Sequence, residues 1–513
     1  MQTDQANKRI VGEGSVPTVR YTPQCTVTFR CMAAPLYNEV LWLFHFSPFH
    51  GRNENVHMKR VLIRCGWLVT LDPAVGDFRN GEILLRGDRI EAVGRNLGAT
   101  ADETIDAGDK IVMPGLVNAH MHTWETALRG IGAEWMTADY LRHMHLNLAT
   151  RYRPEDNYLG NLIGALAQID AGVTTLVDWC HNITGIELAE RAVDGLVDSG
   201  IRAVFAHGTA KPPTAEGARP FTDIPHPRER IEALRKGRLA GDDGRVTLAM
   251  AILGPDWGSW EVVEHDIRMA RELGLVSSSH TRRREDCVVP DGYRRMAEAG
   301  LLGPDHNLVH GTSYDAADLT LIVDHGASLT STVLVELHHH IGDTQVAAFR
   351  AAGGLPSLGI DVEPFTTGHM FREMQAALLF ARGKEIRNNA LRGNSPFRQL
   401  PVRSREALEW ATIGGARAFL MDRKIGTLSP GKKADIVMLR ANDINMSPVH
   451  DPIYSIVEIA GAGNVDTVII DGVVAKKDGK LTFPADVLRK RSSELRESGA
   501  RIMRDGGYQV GMM

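Results

Sequence analysis

Met113-Pro-Gly-Leu-Val-Asn-Ala-His-Met-His122 is the stretch on which the reading of this chain turns. A Pro-Gly punctuation leads into a short apolar run that reads as a buried strand, and the run ends on two histidines one residue apart. In extended backbone, residues i and i+2 point to the same side, so both imidazoles can face one ion. Alone, a His-X-His pair is weak, because a histidine at a strand end more often serves structure than ligation. What surrounds it decides.

Downstream, apolar runs of about five residues recur, each followed by a helical stretch. Strand ends fall at Ala119, Val177, Ala206, Leu253, Ser279, Val309, Thr332 and Ile360. Amphipathic helices such as Ile186–Ser199, Trp260–Leu273 and Asp315–His325 lie between them. This rhythm predicts an α/β fold, a (β/α)8 TIM-like barrel over residues 114–423. An open doubly wound sheet is the alternative, and it would show a Gly-rich phosphate-binding first turn, which is not evident. On both flanks the pattern changes to short β runs: Val61-Leu-Ile-Arg, Trp67-Leu-Val-Thr, Glu82-Ile-Leu-Leu and Arg89-Ile-Glu-Ala-Val before the barrel. Ala434-Asp-Ile-Val-Met-Leu and the run from Val465 follow it. Residues 58–113 and 424–485 are therefore expected to form one small β-sandwich built from both flanks, with a helical tail over 486–513. Residues 1–57 hold several prolines and lack a clear period; they read as an extension, or as the product of an upstream start site.

In such barrels the active site sits at the carboxyl ends of the strands. There the sequence places His120 and His122 (strand 1), His280 (strand 5), His310 (strand 6) and Asp361 (strand 8). Three imidazoles and a carboxylate suit Zn²⁺ or Fe²⁺ with a position left for water. Weaker candidates are Trp124 and Trp257, which could stack on a flat ring or merely pack. His207 ends strand 3, with a structural role weighed against a place in the pocket. His338-His-His340 lies beyond strand 7 and is expected in solvent.

The stretch Met113–His122, with Ala171-Gly-Val-Thr-Thr-Leu-Val-Asp178 and Gly426-Thr-Leu-Ser-Pro-Gly-Lys-Lys-Ala-Asp-Ile-Val437, resembles the amidohydrolase superfamily. The likeness runs from about residue 58 to 481 and is nearest the cytosine deaminase and triazine hydrolase branch. It implies one divalent metal ion, Zn²⁺ before Fe²⁺, on His120, His122, His280 and Asp361. It also implies Asp361 as the base acting on metal-activated hydroxide, and His310 as the stabiliser of the developing charge. Other branches bridge two metals through a strand-4 lysine; Val246–Leu253 has none, which favours one metal. The expected activity is hydrolysis of non-peptide carbon–nitrogen bonds in a small cyclic or amide substrate. A deaminase of a nucleobase- or triazine-like ring and a metal-free scaffold are the alternatives.

One departure matters. Deaminases of this branch carry a proton-shuttling glutamate three residues after the strand-5 histidine, where His280-Thr-Arg-Arg-Arg-Glu-Asp286 has Arg283. Arginine stays charged and shuttles protons poorly. Glu285 could substitute only through an irregular turn. Arg282–Arg284 reads either as a grip on an anionic substrate group or as a solvated loop, and Arg283 is the candidate contact.

Composition bounds the rest. The 513 residues, 43% hydrophobic and 24% charged, describe a multi-element globular protein. A net charge of −5 gives no reason to expect nucleic acid or an anionic membrane as partner. Five scattered cysteines fit reduced thiols and a cytoplasmic setting. No run approaches the roughly 20 apolar residues of a membrane span, and no signal peptide is expected. A small-molecule substrate and a homo-oligomer complete the expectations.

Overall fold

A computed structural model describes residues 58–509 apart from 213, 215 and 395–397. The readings of residues 1–57, Cys25 and Cys31 among them, lie outside the described residues. The barrel strands are Leu116–Met121, Val173–Cys180, Arg202–His207, Val246–Ile252, Ser277–His280, His306–Val309, Ser328–Ser331 and Ser357–Leu358, hereafter barrel strands 1 to 8. Each pairs in parallel with the next. Strand 8 meets strand 1 through a single parallel bridge, Met121 with Asp361, in which the Asp361 amide bonds the His120 carbonyl at 2.9 Å and the His122 amide bonds the Asp361 carbonyl at 2.8 Å. The Asn118 side chain adds to this seam by accepting from the Ile360 amide at 3.1 Å.

The seam is tight enough to require glycine. A Cβ on Gly359 would stand 2.7 Å from both the Cβ and the carbonyl oxygen of His120, closer than side chains tolerate.

Small and branched residues at alternate positions fill the barrel together with one large ring: Val117, Ala119, Val177, Val204, Ala206, Ala249 and Ala251, with Trp179. Helices cover the outside. Ile186–Ser199 shows why they form, since Ala189, Ala192, Val193 and Leu196 bury one stripe and Gly200 closes the helix at φ +78°.

The flanks join in one eight-stranded sheet. Arg60–Leu68 lies between Phe78–Arg86, antiparallel, and Glu103–Pro114, parallel; Arg89–Gly94 forms one edge. Ile436–Arg440, Val465–Ile470, Val473–Lys477 and Lys480–Leu481 continue it from Glu103–Pro114. Two details differ from the sequence reading. The Val61 and Trp67 runs are one continuous strand, because Gly66 permits a bulge without a turn. Glu103–Pro114, polar in its first half, was not read as a strand although it carries the chain into the barrel.

The buried Arg202, at the start of barrel strand 3, ties sheet to barrel: it donates to Asp435 at 2.7 and 3.0 Å and also to Asp471. After the sheet, the helix Ala485–Asp505 returns to pack on Pro154–Asp170. Among the described residues no helix is long and apolar enough to cross a membrane.

Candidate active site

The alternation along barrel strand 1 turns Val117 and Ala119 into the interior, which by strict period two would turn His120 away. The register slips between Asn118 and Met121, and that slip lets His120 and His122 face the mouth together. His280 ends strand 5, His310 follows strand 6 and Asp361 follows strand 8. His310 and Asp361 both hold positive φ, +76° and +68°, a conformation that costs a non-glycine residue free energy and aims each side chain back across the barrel.

One ligand atom from each of His120, His122, His280 and Asp361 lies within 4.8 Å of all the others. His120 Nε2 is 3.2 Å from His280 Nε2 and 3.2 Å from Asp361 Oδ1, and His122 Nε2 is 3.2 Å from the same oxygen. His122 Nδ1 donates to the Trp179 carbonyl at 2.6 Å, so in the neutral ring Nε2 carries a bare lone pair. A bare lone pair 3.2 Å from a carboxylate oxygen is repulsive unless something positive stands between them. Zn–N bonds of about 2.0–2.1 Å in a tetrahedron put neighbouring donor atoms roughly 3.3 Å apart, close to the 3.2 Å of the three close pairs here, in a set that spreads to at most 4.8 Å. Burial keeps the rings neutral and able to ligate: it drives His120 down to about 3 and His280 well below the usual histidine value. The four side chains fit a divalent metal ion.

His310 stands outside that set. Its Nε2 is 3.8 Å from Asp361 Oδ2, while its Nδ1 faces Thr332 Oγ1 at 3.1 Å and the buried Glu336 carboxylate at 3.4 Å. Burial works against its protonation, but Glu336 and the charge of Asp361 outweigh it and raise its pKa. The ring is thus a hydrogen-bond donor pointing over the metal site.

The cavity above these groups encloses about 550 Å³ and opens into an outer chamber of about 940 Å³; both are bounded by Thr137, Leu141, Trp257, Thr281, His339 and His340. Trp257 lines it, though its ring already carries two cations, the Arg282 guanidinium 4.0 Å and the Lys211 ammonium 4.9 Å from its centre. Trp124 does not line it: fully buried, it donates its indole N–H to His181 Nδ1 at 3.1 Å from behind. His207 turns to the helix layer, where its Nδ1 meets His226 Nε2 at 2.9 Å. Arg283 reaches only the outer chamber, pairing with Asp286 at 2.7 Å and Glu285 at 3.1 Å. Glu285 is exposed and far from the shuttle role considered for it.

The expectation that His338–His340 is solvated needs correcting. His338 is exposed, but His339 and His340 line the cavity, because Val333–His339 forms a helix that folds back over the mouth. Several cavity residues escaped the sequence reading: His181 just beyond strand 2, Lys211 in the loop after strand 3, and Tyr140 and His145 after strand 1. Tyr140 donates to the buried Glu125 at 2.6 Å. The signal for His181 and Lys211 was available, since any ionisable residue just past a barrel strand's carboxyl end belongs on the list.

Barrel, convergent donors and covered cavity together define a metal-dependent hydrolase of the barrel type. Residues 111–475 match the model of the amidohydrolase family, and the chain belongs to that family. It is 27% identical over 466 residues (87% of this chain and all of the relative) to a 5-methylthioadenosine/S-adenosylhomocysteine deaminase of Symbiobacterium thermophilum. It is 26% identical over 432 residues (83% and 94%) to a 5'-deoxyadenosine deaminase of Methanosarcina barkeri. A zinc-bound adenosine deaminase of Xanthomonas campestris superposes with TM-score 0.74 at 22% identity, covering 86% of this chain and 98% of its own. The zinc-bound atrazine chlorohydrolase of Arthrobacter aurescens TC1 gives 0.74 at 20%, covering 86% and 100%. The chain is thus an amidohydrolase-type enzyme that hydrolyses non-peptide carbon–nitrogen bonds with a divalent metal ion.

Proposed function

We propose that this enzyme releases an amine from a small nitrogen-containing ring, using one Zn²⁺ held by His120, His122, His280 and Asp361. The observation that carries the reading is the approach of three imidazole nitrogens and one carboxylate oxygen to a common point at the mouth of the barrel. The names of the two deaminase relatives support amine release as the reaction. When bound, the ion lowers the pKa of a water to about 7 and polarises the carbon under attack.

The chain's own residues do the rest. Asp361, its Oδ2 open toward His310 Nε2 at 3.8 Å, takes the proton of the attacking water. His310, held by Thr332 and Glu336, donates a hydrogen bond to the charge that develops opposite. With Arg283 at the rim, Glu285 in solvent and Asp286 paired to Arg283 in the outer chamber, no carboxylate of the strand-5 loop lines the inner cavity, so Asp361 itself passes the proton on to the leaving nitrogen. Ammonia release is to be screened across aminated pyrimidines, purines and triazines with the zinc-loaded enzyme. His280→Ala is expected to lose both bound zinc and ammonia release; retention of both would overturn the assignment.

A further inference from the structure

Lys211 is 7% exposed, lines the cavity beside His122, His280 and Asp361, and has no hydrogen-bond or ion-pair partner among the described residues. A buried ammonium without a counter-ion is costly, and proteins keep one where something else neutralises it. Its neighbours do so only in part. Trp257 and Trp179 offer ring faces at 4.9 and 6.0 Å, and the buried Glu125, which accepts from Tyr140, acts on Lys211 only through space, without a hydrogen bond or ion pair between them. The Arg282 guanidinium on the same Trp257 ring likewise makes no ion pair among the described residues, although the buried Asp256 that accepts from the Arg282 amide feels its charge; Arg283 and Arg284, in contrast, pair with Asp286 and Asp318.

The polar groups around Lys211 point the same way. His181 Nδ1 accepts from Trp124, which leaves the neutral ring's proton on Nε2, and His181 lines the cavity stacked on His122 at 4.0 Å. Trp257 Nε1, also a donor, is buried without an acceptor. The cavity therefore offers donors and positive charge, while the carboxylates among its described lining residues are held elsewhere, Asp361 by His120 and His122 and Asp286 by Arg283.

Building on the amine-release reading, we propose that the substrate carries an anionic group, a carboxylate or a ring oxyanion, that binds Lys211 and the His181 Nε2 proton while Arg282 guards the entrance. This sets the enzyme's substrates apart from uncharged ring amines. Burial brings the Lys211 pKa down to about 8, which still leaves it charged at neutral pH, and a bound anion would restore it upward.

The test is calorimetric binding to the zinc-loaded enzyme of 4-aminopyrimidine-5-carboxylate and of its uncharged counterpart, 4-amino-5-methylpyrimidine. The carboxylate is expected to bind about tenfold or more tighter, as a charge-assisted hydrogen bond allows. Lys211→Met should erase that preference by weakening the carboxylate alone, and Lys211→Arg should keep most of it. Zinc content and melting temperature report whether each variant is intact; should Lys211→Met fail to fold, Arg282→Gln provides the second arm, with a smaller loss confined to the carboxylate. Equal affinity for the two compounds, binding of neither, or a preference that survives in an intact Lys211→Met overturns the proposal. Ammonia is read separately: a tightly bound carboxylate that is not deaminated sinks the amine-release reading and leaves this one standing, whereas ammonia from the methyl compound alone does the reverse.

Discussion

His207 and His226 meet at 2.9 Å with no access to water, and burial drives both down to about 3. Unfolded, each titrates near 6.5. Between those values the unfolded chain takes up a proton that the folded chain refuses, so the pair's contribution is intact above pH 6.5 and is lost progressively as the pH falls toward 3. His226→Gln removes one such site. Urea unfolding at pH 7.5 and pH 5 should show the stability gap between wild type and variant narrowing by up to about 1.4 kcal/mol per pH unit below 6.5; a gap independent of pH would mean the imidazole is charged in the fold. The same pair shows what single residues conceal. A histidine at a strand end faces the mouth or the helix layer according to parity, and parity is readable only where the register is regular. His207 follows Ala206, an interior residue, and so faces outward. The slip at Asn118 reverses that rule for His120, which the His-X-His spacing alone could not reveal. For Lys211 and His181, which lie in loops, no period assigns a side; only their place just past a strand's carboxyl end marks them.

Among the elements, barrel strand 8 does most to set the site and is the shortest, with only Ser357 and Leu358 in the ladder. Gly359 brings it against His120 where a side chain does not fit. Gly359→Ala is expected to cost about 1–3 kcal/mol of stability through overpacking, and to lower metal affinity because the displaced neighbour, His120, is one of the proposed ligands. Denaturant titration with metal analysis checks both; a variant with normal zinc binding would show that the seam can relax without moving His120. Elements of this kind were legible from the sequence in unequal measure. Ile186–Ser199 has the bounds its apolar stripe and closing glycine imply, since propensity, period and cap agree there. Glu103–Pro114 was not legible, because half its length is polar and its pairing with Arg60–Leu68 is non-local. The helix Val333–His339 was hidden by its own histidines, which read as a solvated tract until the fold turned two of them inward.

At the scale of the whole molecule, Arg202 joins the sheet to the floor of the barrel, at the end of strand 3 remote from the metal ligands. Arg202→Met strands Asp435 without its main partner, and the loss of one member of a buried pair costs about 3–5 kcal/mol. Melting temperature should drop accordingly while zinc stoichiometry stays unchanged, because that end of a barrel serves stability rather than chemistry; loss of zinc would show that the two ends are coupled. The closure of the barrel has a consequence of its own. Strands 1 and 8 share one bridge, and two of the four donors, His120 and Asp361, stand on opposite lips of that join. An ion gripping both would act as a rivet, shutting the cylinder as well as arming it, and a chelator would loosen it at this weakest stitch alone. Hydrogen exchange would register this as faster loss of protection at the His122 and Asp361 amides, with the ladder between strands 2 and 3 unaffected.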